Sequence, residues 1–169
     1  MILITIAGAT GTGKSTIAKK IVNTSKHCFI YDRQNEYEGI PYYSGQILPR
    51  MRFFGDFSEF SEIANKLKGY TIVAEEATGI FSGKASRSFI DIVLSKRHTN
   101  NTFILIFHSI HRIPMNLYEF TDVFIMHKTN DIIDNVKKRY PNLYKSFIEV
   151  NNVNNKDYHY KKIIKLTGL

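Results

Sequence analysis

The residues with the clearest chemical potential lie near the start of the chain, in Gly8-Ala9-Thr10-Gly11-Thr12-Gly13-Lys14-Ser15. This segment matches the pattern Gly-x-x-x-x-Gly-Lys-Ser/Thr. Glycines at this spacing let backbone N–H groups converge on phosphate oxygens, and the positive end of a following helix adds to the same field. Lys14 can then reach the outer phosphates and Ser15 can offer its hydroxyl to Mg²⁺, with Thr16 also among the binding residues. The pattern predicts a binding loop for ATP and Mg²⁺, and a chance glycine- and threonine-rich turn is the alternative.

Two adjacent carboxylates, Glu75 and Glu76, follow the apolar segment 70–74. Acids at the C-terminal end of a strand in an open α/β sheet lie beside the phosphate-binding loop. One can hold Mg²⁺ through a water and the other can polarise the attacking water, and the charge of the metal makes two neighbouring carboxylates tolerable. We assign Glu75 to the metal and Glu76 to the general base, because the second acid begins the loop nearer the nucleophile. Two solvated charges at the start of a loop are the alternative.

Strands and helices must alternate to position these residues, and the hydrophobic pattern predicts that they do. Apolar runs predict strands at 2–7, 28–31, 70–74, 102–107, 123–126 and 158–166. Helical spacing predicts helices that include 17–22, 57–67, 89–94, 114–120 and 132–136, the last interrupted by Pro141. Glycines and prolines predict a loop over 36–55, and asparagines a turn over 151–155. This alternation predicts an α/β fold with a mainly parallel sheet and helices on both faces.

The composition fits one soluble globular domain of 169 residues, with 43% apolar and 22% charged residues. The longest apolar run, 103–107, is too short to cross a membrane, and no secretory signal is evident. Cys28 is the only cysteine, which excludes an internal disulfide and fits a reducing, cytoplasmic compartment. The net charge of +8 favours a polyanionic partner, although charge alone does not separate nucleic acid from an anionic membrane or simple solubility.

Several segments, taken in order, carry a resemblance to a known group. They are the loop at 8–15, Asp32-Arg33-Gln34-Asn35-Glu36-Tyr37, Glu75-Glu76-Ala77, Arg97-His98 with His108-Ser109, and 117–125 with Asp122. Together they resemble the FtsK–HerA group of P-loop ATPases, especially small viral genome-packaging ATPases, with the Zot-like proteins of filamentous phages as near relatives. The resemblance covers residues 2–127 and implies a RecA-like P-loop fold of the ASCE type. Residues 1–169 would then be one ATPase domain, with a core to about residue 127 and C-terminal helices and a closing strand in 128–169.

This resemblance implies an ATP-hydrolysing motor that translocates double-stranded DNA into a viral capsid as a homo-oligomeric ring, a hexamer or a pentamer. The capsid vertex protein is a further candidate partner, no membrane is involved, and the host cytoplasm is the expected location. In such rings an arginine of one subunit completes the site of its neighbour, and Arg97 is the first candidate, with Arg87 and Arg112 behind it. The sequence departs from the group at Glu75, where Asp is usual, and at His108, where a Gln, Asn or Ser sensor is usual. The His108 imidazole can bond a γ-phosphate or a water, but it is titratable.

Weaker candidates also have ordinary structural interpretations. The resemblance favours a site role for Asp32 and Glu36, against an Asx-turn and a surface glutamate. His108 and His111 stand at helical spacing, but no third ligand is evident, so we do not expect zinc. Lys84 and Arg87 lie in the loop after the acid pair and are candidate DNA contacts in a ring channel.

Two other functions remain open at this stage. A small-molecule kinase or tRNA-modifying transferase fits the size and the phosphate loop, with Asp32-Arg33 as an acceptor site, but the pair of acids after segment 70–74 argues against it. A Zot-like phage assembly or export factor would use nucleotide for regulation and its basic face for a partner.

Overall fold

Seven strands form one sheet in the order β3-β2-β4-β5-β1-β6-β7 in the computed structural model of this chain. The structure describes residues 2–81, 85–153 and 160–166, with all of their side chains except those of residues 85, 86, 96 and 97. The strands are β1 (Leu3–Ala7), β2 (Cys28–Tyr31), β3 (Arg50–Phe53), β4 (Thr71–Ala74), β5 (Thr102–Phe107), β6 (Val123–His127) and β7 (Lys161–Lys165). Strands β1 to β6 run parallel, and β7 pairs antiparallel with β6. The predicted α/β class with a mainly parallel sheet is confirmed.

Helices connect these strands and cover both faces of the sheet. They are α1 (Lys14–Thr24), α2 (Phe57–Lys66), α3 (Ala77–Ile80), α4 (Ala85–Leu94), α5 (Lys96–Thr99), α6 (Met115–Glu119), α7 (Ile133–Arg139) and α8 (Pro141–Asn152). None of the helices in the described ranges is long and apolar enough to cross a membrane.

Alternation along the strands divides the core into two layers, because successive side chains point to opposite faces. Ile4 and Ile6 of β1 belong to the layer that includes Ala18 and Val22 of α1. Leu3 and Ala7 of the same strand belong to the larger layer, which includes buried residues of α2, α4, α6, α7 and α8. Every residue of β1 is buried, so this strand lies inside the sheet with its C-terminal end between β5 and β6.

The predicted loop over 36–55 is wrong at its end, where β3 forms an edge strand beside β2. Its four residues alternate between half-buried arginine and buried Met51 or Phe53, which is the pattern of a half-buried strand. The run is too short to stand out among the glycines and prolines around it. Pairing with β2 supplies the stabilisation that local propensity does not.

The predicted interruption at Pro141 is the start of a further helix, α8. Proline is favoured in the first turn because its missing N–H has no partner there. The helix continues to Asn152, so the turn predicted over 151–155 is wrong at residues 151 and 152, and residues 154 and 155 lie outside the described ranges. The last strand, predicted over 158–166, is found at Lys161–Lys165, and residues 158 and 159 lie outside the described ranges.

Candidate active site

The glycine-rich loop joins the end of β1 to the start of α1, and neighbouring strands hold it from both sides. The N–H of Gly8 donates to the carbonyl of Phe107, at 3.2 Å, and the N–H of Ala9 donates to the carbonyl of Lys128, at 2.7 Å. Gly13 caps α1 in the left-handed conformation, at φ 87°, which glycine adopts without a steric penalty. Parallel strands on either side of β1 therefore fix the loop where α1 begins.

Lys14 is folded back across this loop. Its ammonium donates to the carbonyl of Ala9 at 2.8 Å, and the Thr12 hydroxyl donates to the same oxygen, also at 2.8 Å. Burial lowers the pKa of Lys14, while the charges of Glu75 and Glu36 oppose that effect. A cation set within backbone N–H groups at a helix N-terminus is an arrangement that binds anions, phosphate in particular.

Glu75 follows β4 and lies almost fully buried beside the phosphate loop. Its Oε2 accepts from the Ser15 hydroxyl at 3.4 Å, and its Oε1 accepts from the Tyr37 hydroxyl at 2.6 Å. Burial raises the pKa of Glu75 to about 7 against the opposing effect of these two hydrogen bonds. Burial and the neighbouring Glu75 raise the pKa of Tyr37 far above its usual value, so its hydroxyl stays a donor.

Glu76 has a different environment, although it is the next residue. Its backbone is left-handed, at φ 56°, and its carboxylate is about one-third exposed. The Gln34 amide donates to its Oε1, and Nε2 of His108 lies 3.8 Å from the same oxygen. The N–H of His108 is held in turn by the hydroxyl of Thr78, at 3.0 Å. The two acids thus have different partners, Ser15 and Tyr37 for Glu75 and Gln34 and His108 for Glu76.

These groups line one cleft of about 260 Å³ at the C-terminal edge of the sheet. Its lining comprises Thr10, Gly11, Lys14, Ser15, Gln34, Glu36, Glu75, Glu76, Ile106 and His108. The structure therefore brings together the predicted loop, the acid pair and His108. On the other side of the loop, a second hollow of similar size is lined by Thr12, Gly13, Thr16, Ile17, Lys20, His127 and Lys161.

Ser15 and Glu75 together make a donor set that fits Mg²⁺. The metal prefers oxygen ligands and is typically held by one or two protein groups plus phosphate oxygens. The Ser15 hydroxyl and the Glu75 Oε2 face each other at 3.4 Å, next to the loop that would hold the phosphates. These two oxygens are the protein groups that would hold the ion.

The two weaker candidates after β2 have different positions. Glu36 lines the cleft and forms an ion pair with Lys19, at 3.0 Å. Asp32 is fully buried and accepts from the N–H groups of Glu36 and Tyr37, at 2.8 and 3.1 Å, and from Arg52 at 3.2 Å. These N–H groups lie four and five residues ahead of Asp32, so the contacts are not those of the Asx-turn that was the alternative for this residue.

Gln34 and Tyr37 are functional candidates for which the sequence predicted no role. Both lie in the segment after β2 that carries the resemblance, so their neighbourhood could be predicted but their contacts with Glu76 and Glu75 could not. His111, at helical spacing from His108, lies instead 2.5 Å from the buried carboxylate of Asp131.

The arginine and DNA-contact candidates stay predictions. The side chain of Arg97 and all of Lys84 lie outside the described residues. The predicted position of Arg87 in the loop after the acid pair is wrong, because Arg87 belongs to α4. Arg87 and Arg112, which follows β5, are both exposed. No arginine is among the described residues that line the cleft.

The sheet order, the glycine-rich loop between β1 and α1, and the acids after β4 together define an α/β P-loop NTPase fold. No family model and no curated protein matches the sequence.

Solved structures show the same fold. The genome packaging NTPase B204 from Sulfolobus turreted icosahedral virus 2, in complex with AMPPCP, is similar with a TM-score of 0.76 and 15% identity over 97% of each chain. The N-terminal domain of zonular occludens toxin from Neisseria meningitidis is similar with a TM-score of 0.53 and 12% identity, over 76% of this chain and 78% of that chain. The pCW3 conjugation coupling protein TcpA, with ATPgS, gives a TM-score of 0.56 and 13% identity, over 85% of this chain and 53% of that one. The predicted resemblance to viral packaging ATPases with Zot-like relatives is confirmed in the fold.

Proposed function

We propose that this protein hydrolyses ATP to ADP and phosphate and uses the energy to translocate double-stranded DNA in viral genome packaging. The observation that carries the proposal is the single cleft in which Lys14, Ser15, Glu75 and Glu76 meet over the phosphate loop. Many P-loop proteins share such a cleft, and the similarity to a genome packaging NTPase over 97% of both chains supports DNA packaging as the activity of this one.

The chain supplies a residue for each chemical task. The loop N–H groups and Lys14 bind the phosphates, and the second hollow, beside Thr16, receives the nucleoside. Glu76 orients a water whose oxygen bonds to the γ-phosphorus while the bond to the bridging oxygen of ADP breaks, and its carboxylate accepts the proton. Its partial exposure leaves it free to do so, whereas both oxygens of Glu75 are already engaged. His108, 3.8 Å from Glu76, is the proposed γ-phosphate sensor.

Ser15 and Glu75 would hold Mg²⁺ in this scheme. When bound there, the ion neutralises charge on the β- and γ-phosphate oxygens.

DNA binding and assembly are the further parts of the proposal. The net charge of +8 fits a phosphate backbone gripped without sequence specificity, through Lys84 and Arg87. A ring of five or six copies in the host cytoplasm would let Arg97 of one copy reach the cleft of the next, and a capsid vertex protein would dock the ring. The absence of arginine from the described lining is consistent with an arginine supplied in trans.

The central test measures ATP hydrolysis with and without double-stranded DNA across a series of salt concentrations. We expect DNA to stimulate hydrolysis, and the DNA affinity to fall steeply with salt, because counterions are released on binding. No hydrolysis, no stimulation at any DNA concentration, or phosphoryl transfer to a nucleoside acceptor would each refute the motor.

A second test examines Glu76 as the general base. Glu76→Gln should reduce the rate of hydrolysis by about 10²–10⁴-fold, the usual contribution of a general base, while ATP still binds. The same substitution at Glu62, an exposed residue of α2, is the matched control and should leave the rate unchanged. An unchanged rate in Glu76→Gln would remove Glu76 from this role.

The arginine in trans is tested by mixing inactive subunits. Arg97→Ala subunits keep an intact phosphate loop, and Lys14→Ala subunits keep the arginine, so mixed rings should recover part of the turnover. Equivalent mixtures with Arg87→Ala or Arg112→Ala identify the residue if Arg97 is not the one. No recovery in any mixture would contradict a shared site.

A further inference from the structure

The two oxygens of the Glu75 carboxylate have different partners. Its Oε1 accepts a 2.6 Å hydrogen bond from the Tyr37 hydroxyl, while its Oε2 faces the Ser15 hydroxyl at 3.4 Å. Tyr37 is 4% exposed and Glu75 is 6% exposed, so water has little access to either group. One oxygen is thus taken by a short hydrogen bond, and only the other is directed at the phosphate loop.

Tyr37 is itself held by a carboxylate that has no direct place in the cleft. Asp32, fully buried at the end of β2, accepts the N–H of Glu36 at 2.8 Å and the N–H of Tyr37 at 3.1 Å. Arg52 of the edge strand donates to the same carboxylate at 3.2 Å. The backbone that carries Tyr37 is therefore fixed from β2 and β3.

We propose that Tyr37 is a positioning residue that holds the Glu75 carboxylate so that a single oxygen, Oε2, coordinates the divalent cation beside Ser15. A free glutamate side chain rotates about several bonds and can present either oxygen, both, or neither. A fixed donor on Oε1 removes these alternatives before the metal arrives. Hydrogen-bonded outer partners of ligating carboxylates typically contribute about 10–100-fold in metal affinity.

This inference rests on the proposed function, since it concerns the metal that accompanies the nucleotide. It adds that the segment after β2 sets the metal affinity without touching the metal. A purely structural role for the bond would make a different prediction: its loss would weaken the fold and nucleotide binding alike, with or without metal.

The test measures Mn²⁺ binding by electron paramagnetic resonance in the presence of AMPPCP, and AMPPCP binding in EDTA by calorimetry. Tyr37→Phe should weaken Mn²⁺ binding by about 10–100-fold and leave the metal-free affinity for AMPPCP within about twofold. Tyr140→Phe is the matched control, because it removes a buried 2.6 Å hydrogen bond, to the carbonyl of Ile113, between two residues that do not line the cleft. It should change neither measurement.

A second variant keeps the test decisive if Tyr37→Phe lowers the stability. Glu75→Asp shortens the acid by one methylene and withdraws it from the Tyr37 hydroxyl, so adding Tyr37→Phe should cost less Mn²⁺ affinity than it does alone.

Unchanged Mn²⁺ affinity in Tyr37→Phe, or an equal loss of AMPPCP affinity in EDTA, would overturn the role of Tyr37 while leaving the ATPase intact. A wild-type protein that binds neither AMPPCP nor Mn²⁺ would instead overturn the proposed function, and the role of Tyr37 with it.

Discussion

Gly8 lies where the phosphate loop passes closest to the end of β6, and an alanine there should damage both stability and nucleotide binding. A Cβ atom at Gly8 would stand 2.5 Å from Cβ of His127, 3.0 Å from the Thr12 hydroxyl and 3.1 Å from the carbonyl of Lys128. Ordinary carbon contacts are about 3.5–4.0 Å, so the first contact is short by about 1.0–1.5 Å. Neither the His127 Cβ nor the Lys128 carbonyl can rotate away, so the backbone itself must move.

The size of the effect follows from that movement. Overpacking a closed site costs about 1–3 kcal/mol, and a clash with backbone belongs near the upper end. For a chain of this length about 2–3 kcal/mol corresponds to a fall of about 4–12 °C in Tm. The shift also separates the N–H of Ala9 from the carbonyl of Lys128, now 2.7 Å apart, and so displaces the loop. We expect ATP affinity to fall at least tenfold, or by about 1.4 kcal/mol.

Thermal unfolding and ATP titration calorimetry on Gly8→Ala measure both effects. Gly79→Ala is the matched control, because a Cβ there meets nothing within 4 Å and alanine is the better helix former in α3. Its Tm and ATP affinity should stay close to the wild-type values or rise slightly. Equal shifts in the two variants, or a lower Tm in Gly8→Ala with unchanged ATP affinity, would contradict a steric clash at Gly8 that displaces the loop.

Four further variants test other parts of the structure. Burial alone would raise the pKa of Asp131, but hydrogen bonds, first from Ser109 and His111, hold this pKa below its usual value. The ionised carboxylate therefore stabilises the fold above about pH 4, and that stabilisation is lost as the pH falls through the lowered pKa. Asp131→Asn should accordingly lower the free energy of unfolding at pH 7 by about 2–3 kcal/mol, with a smaller difference near pH 3, measured by denaturant titration. Phe60→Ala should cost about 3–5 kcal/mol in the same assay, because Phe60 is fully buried and its ring lies 4.5 Å from that of Phe29. Glu76→Gly should raise the Tm while reducing hydrolysis as much as Glu76→Gln does, and Glu76→Ala, which keeps the left-handed backbone, should reduce hydrolysis equally without raising the Tm.

The larger features of the fold could be predicted because they depend on local patterns. Apolar runs locate β1, β4, β5 and β6 to within a residue or two, since burial on both faces leaves at most one polar residue in each of them. Strand β3 could not be found in this way, because pairing with β2 stabilises it and no long apolar run marks it. The order of the strands also depends on contacts between distant segments, which periodicity does not encode.

In the candidate site, too, features set by adjacent residues could be predicted and contacts between distant segments could not. The phosphate loop and the acid pair are contiguous in sequence, so their spacing alone indicates the chemistry. Tyr37 stands 38 positions from Glu75 in the chain, and Gln34 stands 42 from Glu76. These contacts arise because β2 and β4 are neighbours in the sheet, with Tyr31 beside Ala74 at the ends of the two strands. The residues that position the acids could therefore be found only once that pairing was known.

The backbone at Glu76 explains why two consecutive acids can take different roles. Among the described residues other than glycine, positive φ occurs only at Asn35, Glu76 and Asn100, and asparagine tolerates that region well. For glutamate the left-handed conformation costs about 1–2 kcal/mol, a cost that folds keep mainly at functional sites. Here it turns the chain just past the end of β4 and directs the Glu76 side chain away from that of Glu75. One carboxylate is therefore buried beside Ser15 while the other stays accessible beside His108. An extended backbone would instead have placed the two side chains on opposite faces of the sheet, and only one could have reached the cleft.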